Sequence, residues 1–144
     1  MGYTTKFTGS IKLSRQLTLQ EAKELMDLAD FDADKVYQKS GIRSYMQWVP
    51  TETLDAIVWD GNEKFYEYIP LLKWLSGKWL KEKGIAANGE LIWSGEDSDD
   101  VGRIIVADNN VTTESLDKGA PSCKPLTAKR LGEMALEALT KQGA

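Results

Sequence analysis

Polar and apolar positions alternate from Tyr3 to Leu13. Tyr3, Thr5, Phe7, Gly9, Ile11 and Leu13 share one face, and Thr4, Lys6, Thr8, Ser10 and Lys12 share the other. A period of two over this length predicts a half-buried strand with its polar face in water, as in an antiparallel sheet or at a sheet edge. The rhythm then changes. Thr18-Leu19-Gln20-Glu21 has the spacing of a capping box, and Leu19, Ala22, Leu25, Met26 and Ala29 recur at helical spacing, which predicts a helix over 18–30. Residues 35–43 are polar and read as loop with at most a helical turn. Two short apolar runs, Tyr45–Val49 and Ala56–Trp59, flank Pro50-Thr51-Glu52-Thr53 and read as a hairpin. Asp60-Gly61-Asn62 closes the second run with turn residues and offers Asn62 as a helix N-cap.

The longest periodic segment is 63–83. Phe65, Ile69, Leu72, Trp79 and Leu80, with Tyr68 and Leu75 beside them, form an apolar stripe that stops at Gly84. Pro70 lies inside it, where proline removes a helix hydrogen bond and crowds the preceding turn; either the helix kinks there, as the unbroken phase of the stripe favours, or a short first turn ends near Tyr68 and the main helix starts at Pro70. Short strands are expected at 89–94 and 103–107, with a further one at Val111–Thr113. The turn Gly95–Asp100 joins the first two and Asp108-Asn109-Asn110 follows. The order β-α-β-β-α-β-β is α+β. Its first six elements fit a ferredoxin-like two-layer sandwich, an antiparallel sheet with two helices on one face. The expected organisation is one domain over 1–113, a Gly- and Pro-bearing loop over 114–126, and a C-terminal helix over 127–144 carrying Leu131, Met134, Ala135, Ala138 and Leu139.

Composition narrows the chemistry. The 144 residues contain no histidine and one cysteine, Cys123. Ser-His-Asp and Cys-His triads, His-ligated metals, an intrachain disulfide and Cys-based zinc are thereby removed. Eighteen basic and 22 acidic residues give a net charge of -4, which argues against broad binding to nucleic acid or anionic membrane. No apolar stretch is long enough to span a bilayer, the N-terminal run has no export signature, and a cytoplasmic protein is the expectation. There is no GxxxxGK[ST] and no GxGxxG. No metal or cofactor is expected.

Charge gathers on bends. Asp27, Asp30, Asp32 and Asp34 sit close together, but the positions an EF-hand gives to Gly and Glu hold Lys35 and Gly41, so the cluster reads as a solvated helix end. Glu96, Asp97, Asp99 and Asp100 form the densest group. They read as a solvated turn, as ligands for a hard cation, or as phosphate mimics that sit on a basic partner. Asp60 and Glu63 beside Trp59 and Phe65 form a weak carboxylate pair for sugar chemistry. Five tryptophans are chiefly core material, and Trp48 and Trp93 are the candidates for exposed anchors.

GYTTKFTG at 2–9, QWVPTE at 47–52, WDGNEKFYEYIPLLKWL at 59–75 and NGELIWSGEDSDDVGRIIVADNNV at 88–111 resemble a family of small uncharacterised proteins carried by bacteriophages and some bacteria. The resemblance covers about two-thirds of the chain and brings no catalytic residues with it. It implies an accessory protein that binds and inhibits a host protein in the host cytoplasm, such as a CRISPR or restriction effector. The contact residues expected are Glu96, Asp97, Asp99, Asp100, Trp93 and Trp48. The alternatives are a small carboxylate- or metal-dependent hydrolase using the turns at 60–63 and 95–100, and an RNA- or nucleotide-binding module on the sheet face, where the usual basic and aromatic platform is missing.

Overall fold

The computed structural model describes residues 3–116, 128–129, 131–133 and 135–136. It is an α+β fold on one six-stranded antiparallel sheet, β1 (Lys6–Leu13), β2 (Trp48–Pro50), β3 (Ala56–Trp59), β4 (Ala87–Ser94), β5 (Val101–Ala107) and β6 (Asn110–Ser115), in the order β2-β3-β1-β4-β5-β6. Between β1 and β2 lie α1 (Leu19–Leu28) and α2 (Ala33–Ser40). Between β3 and β4 lies α3 (Tyr68–Trp74), which runs on as a π-helical stretch over Leu75–Leu80.

The alternation read from the first strand decides which side of the sheet is dry. In β1, Phe7 and Ile11 are buried while Lys6, Thr8 and Lys12 are exposed. Register carries the same face across the sheet: Ile11 faces Ile57 on one side and Gly89 on the other, and Leu91 faces Ile104. Gly9 and Gly89 are positions where two backbones come close. A Cβ on Gly9 (φ +104) would collide with the carbonyl of Glu90, so only glycine fits there. The inner strand side chains join Leu25, Leu28, Val36, Leu71, Leu72, Leu75 and Leu80 in one buried cluster. An aromatic knot fills its β2 end. Phe7 packs edge-on against Trp48 and Tyr68, each at 5.0 Å, and Trp48 against Phe65, also at 5.0 Å.

Helix α1 starts on the expected capping box, with the Glu21 amide donating to Thr18 Oγ1 at 3.1 Å and the Thr18 amide to Glu21 Oε1 at 2.9 Å. Its stripe is narrower than the sequence suggests. Ala22, Leu25 and Leu28 are buried, whereas Leu19 and Met26 are 81% and 50% exposed. The segment 35–43, expected as loop with at most a helical turn, falls largely in a two-turn helix, Ala33–Ser40. Asp32 caps it by accepting from the amides of Asp34 and Lys35, Gly41 ends it at φ 76, and Val36 alone anchors it in the core. One buried side chain leaves no periodic stripe to read.

The long helix also begins later than 63. Asp60 closes an Asx turn on Asn62, accepting from its amide at 2.8 Å, so Asn62 is not an N-cap. Residues 63–67 are irregular, although Phe65 is buried, and α3 starts at Tyr68 after Glu67 at φ 58. Pro70 therefore occupies the first turn, where its amide would have no helical partner. It marks a start and not the kink that the stripe implied.

The π stretch is held from outside the helix. Asp108 and Asn109 form the two-residue turn between β5 and β6, with φ of 48° and 71°, the sign pair of a type I′ hairpin. Asn109 is 7% exposed. Its Nδ2 donates to the carbonyls of Ser76 and Ile85, each at 2.9 Å, and its Oδ1 accepts from the Ala87 amide at 3.3 Å. Its own carbonyl accepts from Ser76 Oγ at 2.9 Å. One asparagine thus joins the π stretch, the entry to β4 and the hairpin.

Residues 128–129, 131–133 and 135–136 are helical and exposed, Leu131 and Leu136 included. Met134, Ala138, Leu139 and Cys123 lie outside the described residues. Among the described residues no helix is long and apolar enough to cross a membrane.

Candidate functional site

The turn at 95–100 closes the β4–β5 hairpin, with the Gly95 amide donating to the Asp100 carbonyl at 2.8 Å and the Asp100 amide to the Asp97 carbonyl at 3.0 Å. Two of its four carboxylates face inward to a frame. Asp100 accepts from the Tyr3 hydroxyl at 2.6 Å and from the Trp93 indole N–H at 2.9 Å. Glu96 accepts from the Thr4 amide at 2.9 Å. The Tyr3 oxygen also accepts from the Asp97 amide at 3.1 Å. Donating to Asp100 pushes the Tyr3 hydroxyl pKa above its ordinary 10.0, so the bond is intact at neutral pH. Tyr68, near the same carboxylate, is raised chiefly by burial and then by the charge of Asp100.

Trp93 belongs to this frame. It is half-buried on the inner sheet face, and its ring lies over Gly102, directly opposite in β5, where a Cβ would strike the indole. Asp97 and Asp99 are left exposed at the tip and form no ion pair among the described residues. The expected site thus divides into a structural half, Glu96, Asp100 and Trp93, and a displayed half, Asp97 and Asp99. Sequence alone gave no sign of the frame, because Tyr3 and Asp100 are 97 positions apart.

Trp48 does not belong to the site. It is 0% exposed, its indole donates to the Tyr68 carbonyl at 3.0 Å, and it is core, not a surface anchor. The aspartates after α1 have local duties: Asp32 caps α2, and Asp34 pairs with Arg43. Among the described residues no three Asp, Glu or Cys side chains are placed to hold a metal ion. The solvent face of the sheet presents Lys6, Thr8, Ser10 and Lys12 on β1, Glu90 and Ile92 on β4, and Arg103 and Ile105 on β5. Arg103 is held there between Glu90, at 3.0 Å, and Glu114. No aromatic ring stands among these positions, so base stacking on the sheet has no platform.

Fold and site together define an α+β protein with an open antiparallel sheet and a braced acidic hairpin tip. No family model, no curated protein and no solved structure matches the chain.

Proposed function

We propose that the chain is an interaction protein that docks on a basic surface of a partner protein through the turn at 95–100. The observation that carries this reading is the frame beneath the turn. Tyr3, Thr4 and Trp93 fix Asp100 and Glu96 from behind, while Asp97 and Asp99 are exposed at the tip and form no ion pair among the described residues. A turn already ordered loses little further entropy on binding, and a fixed pair of carboxylates complements a Lys- or Arg-lined surface. The resemblance to phage-carried proteins favours a host protein, met in the host cytoplasm. A CRISPR or restriction effector presents the phosphate-binding surface that such a tip would imitate, and its inhibition would follow from occupancy.

The fold reading that accompanies this function is ferredoxin-like. The order β2-β3-β1-β4 with every neighbour antiparallel, two strand–helix–strand passages and one dry sheet face support it. Helix α2 and the β5–β6 extension are additions to that plan. The test of function is charge reversal at the tip. Asp97→Lys with Asp99→Lys should weaken binding to the purified host partner, identified by affinity capture and mass spectrometry, by at least about tenfold, or about 1.4 kcal/mol. Wild-type affinity in that variant, with the fold intact by circular dichroism, would remove the turn from the interface.

A further inference from the structure

The π stretch rearranges the helical layer. Residues five apart lie about 140° around an α-helix, so Trp74 and Trp79 would otherwise face different directions. The i→i+5 bonding of a π-helix stacks such residues instead. Both indoles line one groove of about 580 Å³, between this helix, the second half of α1, and α2. That volume falls within the roughly 300–1,000 Å³ of small-molecule sites. The Asn109 side chain, bonded to the Ser76 carbonyl inside the π stretch, keeps this wall in place.

Most of the charge in the groove is divided between its walls. Helix α1 brings Glu24 and Asp27, α2 and the π stretch bring Lys35, Lys39 and Lys78, and Glu82, one turn beyond Lys78, adds a carboxylate on the lysine side. Lys83 is already engaged, 3.4 Å from Glu24 and 4.5 Å from the centre of the Trp79 ring. Lys35, Lys39 and Lys78 are exposed and form no ion pair among the described residues.

We propose that this groove binds a nucleoside phosphate. Three demands select that class. The half-buried Trp74 offers a flat ring for stacking, since Lys83 already covers Trp79. The three lysines call for an anion. The carboxylates of α1 call for hydrogen-bond donors, which ribose hydroxyls and base amino groups supply. Inorganic phosphate has no ring, and indole-3-acetate has a ring but a single donor, its indole N–H, and no ribose hydroxyls. The site is separate from the acidic tip, and neither depends on the other.

The test is calorimetric titration of the purified chain with the four common ribonucleoside mono- and triphosphates singly, with inorganic phosphate and indole-3-acetate as comparison ligands. At least one nucleotide should bind with a Kd below ~1 mM and raise Tm with concentration, while both comparison ligands bind at least about tenfold more weakly. Lys39→Gln with Lys78→Gln should weaken nucleotide binding by at least about tenfold, with the Tm of the free protein unchanged. Trp74→Phe, which keeps an aromatic ring for packing, should retain binding and lose part of the ligand-induced fluorescence quenching. Asp97→Lys with Asp99→Lys should bind nucleotide as the wild type does. No binding by any nucleotide at ~1 mM, equal affinity for phosphate or indole-3-acetate, or wild-type affinity in the double lysine variant would each overturn the proposal.

Discussion

Asn109→Gly asks whether one buried amide holds the π stretch. Glycine keeps the positive φ of the hairpin turn, so the substitution removes the side chain without straining the backbone. It leaves the carbonyls of Ser76 and Ile85 and the amide of Ala87 without the partners they have at 2.9, 2.9 and 3.3 Å. Each buried polar group left unpaired costs about 1–3 kcal/mol. Water entering the vacated space recovers part of the total, and the expected loss is about 3–5 kcal/mol. Against a typical domain stability of about 5–15 kcal/mol the variant should be marginal. Urea unfolding followed by tryptophan fluorescence reads the loss as a lower midpoint at unchanged slope. Asn109→Asp separates the two halves of the amide. It keeps the acceptor for Ala87 but turns a carboxylate toward two carbonyl oxygens, and it should cost at least as much as glycine. A loss below about 1 kcal/mol in Asn109→Gly would mean that the π stretch is held by helix packing and not by the hairpin.

Leu72, 1% exposed, should cost about 2–5 kcal/mol as Leu72→Ala in the same assay; a change under about 0.5 kcal/mol would mean that its face of α3 is not buried. Gly102→Ala places a methyl on the Trp93 ring and should push the indole off Asp100, costing about 1–3 kcal/mol and altering the near-ultraviolet circular dichroism, which an undisturbed frame would leave unchanged. Glu21 is held at a pKa of about 2, below its ordinary 4.5, first by the Arg15 guanidinium bonded to it and then by the Thr18 amide. A folded pKa below the unfolded one contributes stability in full above pH 4.5 and loses it as pH falls toward 2. The Tm deficit of Arg15→Ala relative to wild type should therefore shrink across that window in calorimetry, and a deficit independent of pH would sever the link to Glu21.

The sequence was most legible where one local signal sufficed. Alternation placed β1, the Thr18–Glu21 box started α1, and turn residues located the turn at 60–62 and the hairpin at 108–110. It failed where two signals competed or where the deciding partner was distant. Pro70 inside a continuous stripe signals a kink or a helix start, and the unbroken phase points to the kink, although the first turn of a helix accepts proline at no cost in hydrogen bonds. The apolar stripe itself concealed the π stretch, because a 3.6-residue phase cannot register a local change to i→i+5. Helix α2 had caps and one core residue, Val36, but no face. Trp48 and Trp93 looked alike as large rings beside polar turns, yet one is sealed by Phe7 and Phe65 while the other braces Asp100. The acidic turn was readable as a concentration of charge. Its frame and the lysine groove were not, since each assembles residues from separate elements.

A net charge of -4 argued against anionic partners for the chain as a whole, and that argument averages over a surface that is not uniform. Negative charge is displayed by Asp97 and Asp99 at the β4–β5 tip, while Lys35, Lys39 and Lys78 gather in the helical groove. Screening at physiological salt limits the reach of exposed charges to roughly 8 Å, so a ligand in the groove responds to the charges that line it and not to the total. The sheet face, where the fold class would suggest looking for bases, has spent its arginine on Glu90 and Glu114 and carries no ring. Indoles and cations with no ion pair among the described residues coincide in the helical layer instead, and they do so because a π-helical turn brings Trp79 round to the side of Trp74.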